Sequence, residues 1–337
     1  MAQDLGGKLA MYRQACRKGT DWLLDFMNND GSIGPVEEGI YYYRVPWAFM
    51  LMGEIEAASK KLDWINNNML TADGSFEGPS PRGAFNNRYG SYPIACLIIG
   101  AGMLQRFDII RRGTSNLLSW QDTATGGFCN RSCNKTAEVE QELFPTAQGG
   151  MAFLMAGQIP PARKAGEWFD KLWQMQPDPD NKLYAVCSPA AGLITEFDHD
   201  DEMVYVTRKD QPWQGHYNGG IAAAFLTNLY FATGEQVWLD VARQYQKFSM
   251  TTDECQFQSM QVCKSSWGAG LLHVATREQS YRNWTVRLGD WYLEHQFEDG
   301  RWENTKTWTP NPTSADNIGI TTEFVMHLAN IITYLSV

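Results

Sequence analysis

The sequence predicts an all-α protein, an (α/α)6 toroid of six helical hairpins, and three observations carry that prediction. Apolar residues recur at helical spacing along most of the chain, with no convincing run of alternating β-branched residues. The helical segments alternate in character, an amphipathic one preceding one that is apolar all round. A formula also repeats: a basic residue with Gly, an aromatic with aliphatics, Gln, then a turn with Gly and an aromatic. It is fullest from Arg287 through Gly289, Trp291 and Gln296 to Gly300 and Trp302. Copies run from Arg17-Lys18-Gly19 to Asp30-Gly31, from Trp64 to Asp73-Gly74-Ser75-Phe76, from Arg112-Gly113 through Trp120-Gln121 to Gly126-Gly127-Phe128, and from Arg163 to Gln174 and Gln176. Repeats of this length are supersecondary units that bury their apolar faces against one another.

Taken in order, the first hairpin pairs a helix near 8–28 with one starting near Gly39. The following pairs are 54–69 with 90–105, 107–121 with 138–156, 161–176 with 214–232, 235–250 with 262–276, and 279–297 with 315–334. The first member of each pair carries charge on one side, as in Arg13, Arg17, Lys18 and Asp21, or Arg282, Arg287 and Asp290. The second has no polar face, as in Pro93-Ile94-Ala95-Cys96-Leu97-Ile98-Ile99-Gly100 and Gly219-Gly220-Ile221-Ala222-Ala223-Ala224-Phe225-Leu226. A helix apolar all round must be buried, so six amphipathic helices are placed outside six buried ones, in one domain spanning 1–337. The irregular member is the connection 177–212, and a long connection inside a compact domain is expected to be a lid or binding loop.

Hydrophobic residues at 44% and charged residues at 20% are those of a globular chain. A net charge of −10 argues against nucleic acid or an anionic membrane as the main partner. No run of about 18 apolar residues suggests membrane insertion, and the first residues lack a signal-like stretch, so a cytoplasmic location is expected. Seven Cys, an odd number without framework spacing, read as reduced thiols.

The repeated Lys/Arg-Gly, Trp-Leu, Gln and Asp-Gly-aromatic formula resembles the QW-type repeat of the terpenoid cyclase and protein prenyltransferase toroids, as in squalene–hopene cyclase. The resemblance implies that the repeats tie adjacent hairpins together. Within the 177–212 connection, Asp198-His199-Asp200-Asp201 is similar to the DxDD motif of class II terpene cyclases. That likeness implies Asp200 as the acid that protonates an alkene or epoxide, with Asp198 and Asp201 orienting it. Glu202-Met203 stands where that family usually has Thr-Ala, and the second barrel domain of those cyclases is missing.

The inner-helix N-termini of such a ring surround its central pocket, and unusual residues gather there. Tyr42, Tyr43, Arg44 and Trp47 come from the first hairpin, Arg88 and Tyr89 from the second, Glu140 and Glu142 from the third. Trp213, His216 and Tyr217 come from the fourth, Lys264 and Trp267 from the fifth, and Asp316 from the sixth. Aromatics interleaved with a few ionisable groups suit a deep, mostly apolar small-molecule site, although any single ring could equally fill the barrel. Crowded carboxylates raise one another's pKa, which favours an acid. No Asp-rich metal–diphosphate motif, phosphate loop or nicotinamide fingerprint is present, and Asp253-Glu254-Cys255 has no His at prenyltransferase spacing. No metal or cofactor is therefore expected.

The expected function is a cofactor-independent cyclase or isomerase of a hydrophobic, terpenoid-like metabolite. It would act by acid-initiated or pericyclic (Diels–Alder type) ring closure, with Asp200, Asp198, Asp201, Glu140 and His216 as catalytic candidates. Two alternatives stand beside it. A glycoside hydrolase or polysaccharide lyase would pair Glu140 or Glu142 with Asp200 or Asp316, at carboxyl separations of about 5 Å or roughly 6.5–9.5 Å. A toroid with a filled barrel would serve as a non-catalytic binding scaffold.

Overall fold

The computed structural model describes residues 5–36, 42–75, 90–130, 136–304 and 311–337. Six outer helices are α1 (Leu5–Asp25), α3 (Ile55–Asn68), α5 (Phe107–Trp120), α7 (Ile159–Gln174), α10 (Gln236–Met250) and α12 (Gln279–Glu294). Six inner ones are α2 (Val45–Leu51), α4 (Tyr92–Met103), α6 (Leu143–Met155), α9 (Tyr217–Thr233), α11 (Ser265–Thr276) and α13 (Ser314–Leu335). Each inner helix packs on the next, and α13 packs on α2, so the inner ring closes and the (α/α) toroid read from the sequence is the observed fold.

Burial divides the two sets as the patterning requires. Ten of the twelve residues of α4 and eleven of the thirteen of α6 are buried, whereas α5 buries only Ile109, Gly113, Thr114 and Leu117. Pro46, Pro93 and Pro160 sit in the first turns of their helices, where a missing N–H leaves no bond unmade. α13 has the length and composition of a membrane span, yet it is an inner helix and most of its apolar stretch is buried.

The repeated turn is a three-way clasp. Gln121 Nε2 donates to the carbonyl oxygens of Gly126 and Pro161, both at 2.9 Å, joining the end of α5 to its own turn and to the start of α7. Gln296 makes the same pair of bonds to Gly300 (2.8 Å) and Ala15 (2.9 Å), joining the end of α12 to α1. The turn glycines have positive φ, +91° at Gly126 and +98° at Gly300, and a Cβ there would stand 2.0 Å from the Lys164 carbonyl oxygen or 2.5 Å from that of Lys18. Only Gly fits a left-handed turn pressed this closely on a neighbouring helix backbone. Past the glycine, the Phe128 and Trp302 amides donate to the hydroxyls of Thr146 in α6 and Thr321 in α13, each at 2.9 Å. One turn thus ties an outer helix, the next outer helix and an inner helix.

The 177–212 connection holds more structure than the loop expected there. β2 (Lys182–Tyr184) pairs antiparallel with β5 (Val206–Arg208), and β3 (Val186–Ser188) lies between β1 (Gln141–Glu142) and β4 (Gly192–Leu193). Leu183, Ala185, Val186, Tyr205 and Val206 are buried, and the Leu143 amide donates to Ala185 at 2.9 Å. The short helix α8 (His199–Tyr205) completes a module docked on the third hairpin.

Candidate active site

The first residues of the inner helices converge as the toroid demands, and four of them are not ordinary capping residues. Arg44, Glu142, His216 and Lys264 occupy the N-cap positions of α2, α6, α9 and α11. Cations at the positive end of a helix dipole are unfavourable by themselves, so Arg44 and Lys264 together with their helix ends form a region that attracts negative charge. Gly220 of α9 brings Lys264 inward, since a Cβ on it would stand 2.3 Å from the Lys264 carbonyl oxygen.

The negative charge is Glu323, in the middle of α13. Its Oε2 accepts from Arg44 Nη1 at 2.9 Å and its Oε1 from Lys264 Nζ, while His327, one turn further along α13, places Nε2 3.6 Å from Oε1. All four side chains are nearly inaccessible, at 0–7% exposure. Burial pushes the Glu323 carboxyl upward, but the charges of Arg44 and Lys264 outweigh it and hold the group well below the usual carboxylate range. Burial works against the Lys264 ammonium, but the Glu323 carboxylate, by charge and hydrogen bond, brings it to a value above an ordinary lysine. Burial lowers the His327 pKa against the pull of Glu323, so the imidazole is neutral at pH 7. Its Nδ1 makes no hydrogen bond.

Aromatic rings enclose this charged centre. Lys264 Nζ lies 5.5 Å from the Phe144 ring centre and 5.7 Å from that of Tyr217, and the Arg44 guanidinium lies 5.4 and 5.3 Å from Tyr43 and Tyr92. Tyr92 stacks on Phe144, Trp267 packs edge-on against His327, and Trp47 does the same against Trp267. Cys263, Glu323 and His327 put three potential metal donors within 4.8 Å of one another. Lys264 Nζ, however, bonds both Glu323 and, at 3.7 Å, Cys263 Sγ, so an ammonium serves the acceptors that a divalent ion would need. Burial pushes the Cys263 thiol up to about 12, which keeps it protonated and a poor ligand.

Of the residues picked out from the sequence, Tyr43, Arg44, Trp47, Tyr217, Trp267 and Lys264 meet here. Tyr42 belongs to the short helical turn Tyr42–Arg44, and Arg88 and Tyr89 lie outside the described residues. Glu142 is fully buried at the start of α6, and Glu140 accepts from Asn130 Nδ2 at 3.0 Å. His216 is buried, its Nε2 donating to the Gln211 carbonyl at 3.1 Å, and burial lowers its pKa to about 4. Trp213 has the strained φ of +63° in the turn that leads to it. Asp316 is spent on a capping box with Thr313, a structural duty that accounts for its position.

The acidic tetrapeptide is placed elsewhere. Asp198 is the N-cap of α8, its Oδ1 accepting from the Asp201 amide at 3.0 Å, and Asp200 stands exposed on the first turn. Glu202 pairs with Arg208. Glu323 and His327 were missed. Their only signal was a Glu and a His four residues apart in the mostly apolar half of the last helix.

No family model matches the sequence, and no curated protein matches it. Solved structures do share the fold. A D-mannose isomerase superposes with a TM-score of 0.69 at 13% identity, over 96% of this chain and 97% of its own. A family 76 α-mannanase from Bacteroides thetaiotaomicron gives 0.65 at 11%, over 97% of both chains. A type II terpene cyclase from Scytonema, in complex with geranylgeranyl dihydroxybenzoate, gives 0.61 at 12%, over 98% and 99%. All three are enzymes on an (α/α) toroid, and at these identities the likeness concerns the fold.

Proposed function

We propose that the chain is an isomerase that moves a proton next to the carbonyl group of a small, largely apolar metabolite in the centre of the ring. The observation that carries this reading is the arrangement about Glu323: a neutral His327 and Lys264 both at its Oε1, and Arg44 at its Oε2, inside an aromatic collar. His327 would take the proton from the carbon beside the carbonyl. The electron pair moves onto the carbonyl oxygen, and the resulting enolate is met by Lys264, whose third N–H remains after its bonds to Glu323 and Cys263. In a substrate with a C=C one carbon further along, the enolate is a dienolate: the imidazolium returns the proton to its γ carbon, the electron pair on oxygen re-forms the C=O, and the double bond moves into conjugation with it. Glu323 stays ionised, orients the cations and stabilises the transient imidazolium.

Charge favours this over cation chemistry at the same place. Within the cluster two cations share one carboxylate, so an anion developing there is stabilised and a carbocation is opposed. A hydrolase would need a carboxyl able to give up a proton near neutral pH, and Glu323 is held ionised. The cyclase reading draws on the aromatic collar and on the terpene cyclase neighbour. In that reading Asp200, with Asp198 and Asp201, would have to be enclosed by a substrate that reaches α8.

The test is solvent deuterium exchange. In D2O, a panel of small apolar ketones and enones should include a compound that gains deuterium beside its carbonyl. His327→Gln should slow that exchange about 100-fold, the scale of a lost general base, while Asp200→Asn leaves it unchanged. Exchange unaffected by His327→Gln overturns the proposal. Cyclisation of a polyprenyl substrate that is abolished by Asp200→Asn supports the cyclase instead.

A further inference from the structure

A cavity of about 390 Å3 opens among the last turns of the inner helices, at the end of the ring away from the N-caps. Leu51, Met103, Met155 and Tyr334 come from the final residues of their helices, whereas Trp47 and Trp267 reach the cavity from the side of the central cluster. Two glycines help to keep it open. Met155 lies over the bare backbone of Gly102 and Tyr334 over that of Gly270, so close that a Cβ would stand 2.4 Å from Met155 Cγ and 2.2 Å from Tyr334 Cδ2. Side chains laid flat against neighbouring helices leave the space between them empty.

The lining specifies what could fill it. Among the described residues no charged side chain borders the cavity; its walls are Trp, Leu, Ile and Met, and its side-chain polar atoms belong to Asn228, Asn330, Tyr334 and the two indoles. Asn228 spends one N–H on the Ala224 carbonyl at 2.9 Å, which leaves its amide oxygen as an acceptor. An ion entering such a space would lose its hydration without a counter-charge, so the ligand must be neutral. Methionine walls adapt to branched or bent hydrocarbon, and the volume falls in the range of ordinary ligand pockets, roughly 300–1,000 Å3. We propose that this cavity is a second small-molecule site, taking a neutral, mostly hydrocarbon ligand with a single hydroxyl or carbonyl directed at the asparagines. The cavity shares Trp47 and Trp267 with the aromatic collar, but none of Arg44, Lys264, Glu323 or His327 lines it, so the proposal does not rest on the proton-transfer reading.

Geraniol, a neutral branched alcohol, is a suitable probe, and binding is measured by calorimetry or by ligand-observed NMR on the full chain. Saturable binding at one site is expected. Met151→Trp, which fills the cavity from its buried wall, and Met103→Phe, a milder change at the half-buried rim, should each weaken it at least tenfold. Lys264→Met, in the central cluster, should change it less than twofold. The second cavity variant keeps the test valid if the first fails to fold. Absence of saturable binding overturns the proposal. So does weakening by Lys264→Met, which would place geraniol in the central cluster, or binding indifferent to both cavity substitutions.

Discussion

Arg44 Nη1 lies 2.9 Å from Glu323 Oε2, a hydrogen-bonded ion pair between residues 279 apart that joins the start of the first inner helix to the middle of the last. Removing one member of a buried pair strands the other charge, at a cost of about 3–5 kcal/mol. Glu323→Gln should therefore lower the stability read from urea denaturation by an amount of that order. Replacing all three charges at once, Arg44→Met with Lys264→Met and Glu323→Leu, should restore most of it, because apolar residues of similar volume need no counter-charge. A triple variant as unstable as Glu323→Gln would show that the cluster is a net structural asset and not a functional constraint.

The pH dependence of turnover should report His327. Burial and the Lys264 charge lower its pKa, Glu323 opposes them, and Arg44 adds to the lowering. The neutral, proton-accepting form thus persists below the ordinary histidine value of about 6.5. The acidic limb of kcat is expected below that pH and should be missing from any residual activity of His327→Gln. A limb near 6.5 or above would point to a different base.

His216 gives a stability signature of its own. Its pKa falls from 6.5 to about 4 in the folded chain, chiefly through burial. Between those values the unfolded chain binds more protons than the folded one, so stability decreases as pH falls from 6.5 through 4. The difference amounts to about 3 kcal/mol at 1.36 kcal/mol per pKa unit. His216→Gln should be insensitive to this window in denaturation curves taken at pH 7 and pH 4, relative to the parent chain.

The clasps can be tested singly. Gly126→Ala puts a Cβ 2.0 Å from the Lys164 carbonyl oxygen at a φ of +91°, and should destabilise by at least about 2 kcal/mol. Gln296→Ala removes the donor shared by the Gly300 and Ala15 carbonyls and should cost about 1–3 kcal/mol. Gln279→Ala, which removes an exposed amide bonded to Asn283, should change stability by less than about 0.5 kcal/mol. Thermal melts of the three variants give the comparison.

How far the sequence could be read follows from the range of each signal. α4 and α9 were legible because a helix without a polar face can only be an inner one. Arg44, Lys264 and Trp267 were legible because a ring fold brings inner-helix N-termini together. Glu323 and His327 were not: one turn apart on α13, they resemble any polar pair until Arg44 is seen against them. The strands of the 177–212 module are two or three residues long, too short to show alternation. Asp198-His199-Asp200-Asp201 shows the opposite hazard. An Asp three residues before the amide that it accepts from is a helix N-cap, and the same letters can spell a motif.

The link between Gln296 and Ala15 has a consequence for synthesis. Those residues are 281 apart, and Lys8 and Tyr12 likewise find Asp290 only across the seam. A chain made from its N-terminus must hold α1 with one flank uncovered until α12 and α13 have emerged. At about 5–20 residues per second, that wait lasts on the order of 15–60 s. During it the apolar flank of the first hairpin is open to wrong partners. Folding of this ring on the ribosome should therefore depend on chaperone cover for the earliest hairpin far more than for the last.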